Sequence, residues 1–117
     1  QEKLQAEVTE ILEKECAAAK AADVQTWNRY SDEFHLVFYR YCNNSRLAES
    51  AERLRSGISI FSNQYCRETV IQTRIDEEHL AIFQAYKDGD IEKAVQMMKT
   101  HLNDSLNYAL RFLPKTF

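Results

Sequence analysis

Three histidines, His35, His79 and His101, are the residues in this 117-residue chain whose type and spacing best suit chemistry. His79 stands nine residues before Asp88 and His101 eleven after Asp90. If Asp88-Gly89-Asp90 is a turn between helices, a rise of about 1.5 Å per residue puts the two rings roughly 14 and 17 Å from it. They then lie at nearly one height in an antiparallel hairpin. His35, nine residues before Asn44, reaches a similar depth from the other end of a bundle. Each has apolar neighbours: Phe34 and Phe38 around His35; Leu80, Ile82 and Phe83 around His79; Met97, Met98 and Leu102 around His101. Neutral imidazoles converging from three helices form a facial set of nitrogen ligands for a divalent transition metal such as zinc or nickel. Such a set leaves coordination positions for water or a carboxylate. The competing reading is three separate half-buried histidines, each hydrogen-bonded locally.

Carboxylates at helical spacing add to this pattern. Asp32 precedes His35 by three residues and Asp76 precedes His79 by three, so each can share a helix face with its histidine. Either can serve as a fourth ligand or orient an imidazole. Most of the acidic run Asp76-Glu77-Glu78 is expected to face water. Met97-Met98 and the stripe Trp27, Phe34, Phe38, Tyr41 read as core. No GxSxG elbow is present, and of the cysteines only Cys66, beside Arg67, has a basic neighbour.

The elements that must position these residues are helices. Leu4, Val8, Ile11 and Leu12 predict a first helix to about Ala22. Asp23 reads as the N-cap of a second, Val24 to Cys42, with Trp27, Tyr30, Phe34, Val37, Phe38 and Tyr41 on its apolar face. Asn43-Asn44-Ser45 breaks the pattern, and a third helix follows from Arg46 through Leu47, Leu54, Ile58 and Phe61, with Gly57 inside it. A further helix covers Val70 to Lys87. Gly89 takes the left-handed helix-ending position, and Asp90 caps a last helix running from Ile91 to about Phe112, before Pro114. Short connections imply antiparallel neighbours, so the expected fold is an all-α antiparallel helical bundle of about five to six helices.

Composition agrees. With 2 Gly and 1 Pro the chain lacks the turn residues of a β-sandwich or barrel, and it has no glycine-rich phosphate loop. A length of 117 residues is one domain, and 44% hydrophobic with 28% charged residues is enough to fold. A net charge of −3 without any basic run argues against nucleic-acid binding by this chain alone. No apolar stretch reaches the roughly 18 residues of a membrane span, and no signal peptide opens the chain. Cys16, Cys42 and Cys66 are too dispersed for a disulfide framework and fit a reducing cytoplasm.

Residues 23–35, Asp-Val-Gln-Thr-Trp-Asn-Arg-Tyr-Ser-Asp-Glu-Phe-His, lead into Cys-Asn-Asn-Ser-Arg-Leu at 42–47. Further on come Glu78-His79-Leu80-Ala81-Ile82-Phe83-Gln84-Ala85, Asp88-Gly89-Asp90, Ala94, Met97/Met98 and His101-Leu102, with 22 residues from His79 to His101. Together these segments resemble the ligand-sensing C-terminal (FCD) domain of FadR-subfamily GntR transcription regulators. The resemblance spans nearly the whole chain. It implies a FadR C-terminal-domain-like bundle, here lacking the family's first helix or two, and a non-enzymatic effector-sensing and dimerisation domain over 1–117. It also implies a homodimer, a small carboxylate effector, and DNA contacts only through a separate winged helix absent from this chain. The family's buried metal is held by three histidines and an aspartate; by position the histidines are His35, His79 and His101. The aspartate's position, four residues before the first histidine, is Ser31 here. Asp32 is rotated about 100° around the helix from it, so Asp32 or a water or effector oxygen would complete the set. Ser31 and Ser105, one turn from His35 and His101, are candidates to line the effector pocket.

Two other classes compete. Asp32-x-x-His35 and Asp76-x-x-His79 echo the carboxylate–histidine pairs of di-metal helical-bundle enzymes, which would need further carboxylates such as Glu10, Glu13, Glu49 or Glu52. A metal-free helical interaction module would leave all three histidines exposed.

Overall fold

The computed structural model describes residues 2–41, 45–46, 49–50, 52–53 and 66–111. Four complete helices stand among them: α1 (Glu2–Lys20), α2 (Val24–Arg40), α3 (Thr69–Lys87) and α4 (Ile91–Leu110). There is no strand among the described residues. The count falls below the expected five to six, and the helix expected from Arg46 through Leu54, Ile58 and Phe61 falls largely on residues outside the described ones. Its described pieces at 45–46, 49–50 and 52–53 are helical. The expectations for Cys42, Asn43, Gly57 and Pro114 also lie outside the described residues.

The α1–α2 and α3–α4 connections are the same turn built twice. After α1, the Asp23 amide donates to the Ala18 carbonyl and the Ala22 amide to Ala19. After α3, the Asp90 amide donates to Ala85 and the Gly89 amide to Tyr86. Both are the paired 6→1 and 5→2 bonds of a Schellman ending, which needs one left-handed residue. That residue is Ala22 (φ 56°) in the first turn and Gly89 (φ 79°) in the second. The aspartate closing each turn then caps the next helix: Asp23 accepts from the Thr26 amide and Asp90 from the Lys93 amide, both at 3.2 Å. Each three-residue turn therefore folds its two helices into a hairpin of fixed register.

The two hairpins pack on each other chiefly through α1 against α3. Two apolar clusters result. The larger joins Leu4, Val8, Ile11 and Leu12 of α1 to Phe34 and Val37 of α2 and Ile82 and Phe83 of α3, with Met97 and Met98 of α4 against it. The smaller holds Ala18, Ala19, Trp27 and Ile75. Between the two clusters in sequence, every helix places polar residues on its buried side. These are Glu15 on α1, Asn28, Ser31 and Asp32 on α2, and Asp76 and His79 on α3, with His35 one residue past Phe34. His101 on α4, just past Met97 and Met98, is buried as well. Leu80 and Leu102, read from sequence as apolar neighbours of His79 and His101, are instead exposed, at 46% and 41%. They sit next to a buried histidine in sequence, which on a helix turns them about 100° away from it. Among the described residues no helix is long and apolar enough to cross a membrane.

The matched turns give opposite expectations for one substitution type. Ala22→Gly removes left-handed strain and should raise stability by about 1 kcal/mol, while Gly89→Ala should lower it by a similar amount. No atom lies within 4 Å of a Cβ built on Gly89, so the second effect is purely conformational. Paired thermal melts check both signs.

Candidate metal centre

The three histidines meet. Their rings are fully or almost fully buried, with 7% of His35, 0% of His79 and 3% of His101 exposed. Nε2 of His101 lies 3.0 Å from Nε2 of His79 and 3.3 Å from Nε2 of His35. One donor atom from each ring falls within 4.8 Å of the others. The aromatic surroundings hold the rings in place: Phe34 stacks on His79 at 4.1 Å between centroids and 13° between planes. His35 stacks on His101 at 5.1 Å and 18°.

Proton positions decide what this arrangement can do. Nδ1 of His101 is 2.6 Å from Oε1 of Glu78, and as N–H it donates to that carboxylate. Nε2 of His101 is then an acceptor, facing two more imidazole nitrogens. Nε2–H forms of His79 and His35 can both point at that one lone pair, which can meet only one of them in good geometry. A divalent cation serves all three nitrogens. Metal–nitrogen bonds of about 2.0–2.1 Å at octahedral or tetrahedral angles space neighbouring nitrogens by about 2.8–3.4 Å. The two His101 pairs, at 3.0 and 3.3 Å, fall in that range, and all three donor atoms lie within 4.8 Å of one another. A transition metal would draw the remaining His35–His79 pair to the same spacing.

The electrostatic surroundings favour a cation too. Among the described residues the buried side chains of ordinary charge are Glu15, Asp32 and Asp76, all acidic. Glu15 is wholly buried, with Oε1 2.8 Å from Nδ1 of His79. Asp76 accepts a 2.8 Å hydrogen bond from the Trp27 indole. Burial pushes both carboxyls up, Glu15 to about 7 and Asp76 to about 8, and Glu15 adds to the rise at Asp76. The negative charge of Asp32 adds to the rise at Glu15. Facing carboxyls in a dry interior cannot both ionise at ordinary cost, so the pair keeps a proton at neutral pH.

Against the sequence expectations, His35, His79 and His101 come together, while Asp32 is buried nearby but is not one of the converging donors. Ser31, at the position of the family's aspartate, is buried one turn from His35, and Ser105 is half-buried on α4. The acidic run departs from expectation: only Glu77 faces water, whereas Asp76 is buried and Glu78 pairs with His101. Glu15 was missed as a site residue. Its signal was a carboxylate on the apolar stripe Leu4, Val8, Ile11, Leu12, Ala18, Ala19. The pairing of Glu78 crosses between helices and left no local signal. Glu10, Glu13, Glu49 and Glu52, on which a di-metal enzyme would draw, are all exposed. A groove of about 300 Å³ runs beside the centre, with Arg74, Thr100, Met97, Ala81, Glu78 and His101 in its lining.

The family model for the FCD domain matches residues 1–104. This chain belongs to the FCD domain family. FCD domains form the C-terminal part of GntR/FadR-type transcription regulators, where they are regulatory, ligand-binding units. No curated protein and no solved structure matches the chain. In this FCD domain the matched segment includes α1, α2, α3, the first part of α4 and all three histidines.

The raised carboxyls set a pH dependence for the metal-free protein. A carboxyl whose folded pKa is raised stabilises the fold fully below its unfolded value, and this contribution is lost as pH climbs to the folded one. Stability of the chelator-treated domain should fall from about pH 4.5 to about pH 8. Asp76→Asn can still accept from Trp27 and needs no proton. It should flatten that decline and raise the melting temperature at pH 8, as thermal melts across the range will show.

Proposed function

We propose that residues 1–117 form the effector-sensing and dimerisation domain of a cytoplasmic GntR/FadR-type regulator, with no catalytic role of its own. In this reading His35, His79 and His101 hold one divalent transition metal, zinc, nickel or similar, and a small carboxylate is the effector. The observation that carries it is the convergence of three buried imidazoles, their donor atoms within 4.8 Å of one another, in a chain of this family. When bound, the metal supplies open coordination positions to an oxygen ligand of the effector.

The chain's own residues supply the rest. The imidazoles, two of them with a carboxylate within 3 Å of Nδ1, are neutral nitrogen donors. Arg74 gives the neighbouring groove a cation that can meet a carboxylate, and Ala81 and Met97 give it apolar walls. Because the buried charges are acidic and the groove sets Glu77 and Glu78 beside Arg74, a carboxylate draws most of its attraction there from the metal. Ser31, buried beside His35, and Ser105 on α4 add hydroxyls on the same helix faces. His79 and His101 lie on α3 and α4, so ligation at the centre acts on the packing between those two helices. DNA contacts belong to a separate winged-helix domain, reached through this change in packing.

The test is metal retention. The parent should keep about one divalent ion per chain through gel filtration, read by elemental analysis. The His79→Ala/His101→Ala double variant should keep none while remaining helical. Stoichiometric metal in that variant would refute the ligand assignment. Zinc at about 100 times its dissociation constant should also stabilise the parent by about 2.7 kcal/mol and leave the double variant unchanged.

A further inference from the structure

α4 carries an apolar line that its own hairpin does not cover. Ile91 is 53% exposed and Val95 48%, Leu102 is exposed as well, and Met98 between them is half-buried against the core cluster. Their spacing of four, three and four residues is that of a heptad seam, with Val95 and Leu102 at a and Ile91 and Met98 at d. Scattered exposed apolar residues need no explanation, but a continuous stripe of them at this spacing is a surface for a second helix. Its two flanks differ. The g positions, Ala94 and His101, are buried within the domain, whereas the e positions, Glu92 and Lys99, are exposed. Among the described residues neither Glu92 nor Lys99 makes an ion pair.

Charge order selects the occupant. A second copy of α4 running antiparallel sets Ile91 of one copy level with Leu102 of the other, and Val95 level with Met98. Every layer then pairs an a residue with a d residue, and a two-fold axis passes between Gln96 and Met97. In the same register each Glu92 stands about 3 Å along the axis from Lys99 of the other copy, so an ion pair flanks the seam at both ends. A parallel pair would set e positions against g positions, which are buried here, and would leave Glu92 and Lys99 without an opposite charge. Taking the domain as a dimerisation unit, as proposed above, we propose that the Ile91–Val95–Met98–Leu102 face of α4 is its dimer interface, filled by the same face of a second copy in antiparallel orientation. The contact is isologous and closes at two. Four apolar layers are a small contact, so the domain on its own dimerises weakly and its assembly depends on concentration.

Sedimentation equilibrium of the 117-residue chain and its variants over a range of concentrations tests this, and no readout uses a metal. The parent should show a monomer–dimer equilibrium, and Val95→Glu should weaken it at least about 100-fold by placing a carboxylate in the central layers. Glu92→Lys and Lys99→Glu should each weaken self-association about 10-fold, because each sets like charges together twice. The double swap Glu92→Lys/Lys99→Glu should return to within about three-fold of the parent. An equimolar mixture of the two single variants should recover association as a heterodimer, which follows only if Glu92 faces Lys99 across the seam. Weakening by Val95→Glu without recovery in that mixture overturns the antiparallel pairing. A dimer indifferent to all these substitutions also overturns the proposal and places dimerisation on another face. A parent that stays monomeric to about 1 mM overturns both this interface and the dimerisation reading on which it rests. If Val95→Glu lacks the helical circular dichroism of the parent, the charge swaps, which alter only exposed positions, decide.

Discussion

Imidazole nitrogens packed 3.0 and 3.3 Å apart inside an apolar bundle need a shared proton or a cation between them, because bare lone pairs at that distance repel. That repulsion is the constraint on which the rest of the structure turns. Water would relieve it in an open site, but here the rings are buried and Phe34 stacks against one of them. The carboxyls of Glu15, Asp32 and Asp76 deepen the need for a cation, because no buried lysine or arginine offsets them among the described residues. Without a cation, the protein holds a proton between Glu15 and Asp76 to limit the charge. With one, the same acids become its counter-charge.

Holding the imidazoles at one level is the work of the two turns. Each combines a left-handed residue with an aspartate that ends one helix and caps the next, so hairpin register is set by local hydrogen bonds. The α3–α4 turn aligns His79 with His101. The α1–α2 turn aligns Glu15 with the buried face that bears Ser31, Asp32 and His35. The apolar cluster of Leu12, Phe34 and Ile82 lies toward one side of this polar level and that of Ala18, Trp27 and Ile75 toward the other. Binding chemistry thus sits between two packed apolar regions that resist its collapse.

The helix pattern and the histidine convergence were legible in the sequence because both rest on local rules. Apolar spacing gave α1, α2, α3 and α4, and counting residues from Asp88-Gly89-Asp90 gave the ring heights. What was not legible depends on contacts between helices. Glu78 looked solvent-facing beside Glu77, and only the position of α4 shows that it reaches His101. Asp76 looked like a partner for the histidine one turn along, but it bonds the Trp27 indole on another helix. Asp32 and Ser31 are both buried, so rotation by one residue moved neither of them into solvent. Leu80 and Leu102 show the reverse error, in which an apolar type was read as core although the helix turns it outward.

X-ray absorption at the metal edge of the zinc-loaded protein measures the centre most directly. The account requires one zinc per chain with three imidazole nitrogens at about 2.0–2.1 Å and the remaining scatterers oxygen. A shell of oxygen alone, or one containing sulfur, would place the ion elsewhere and contradict it.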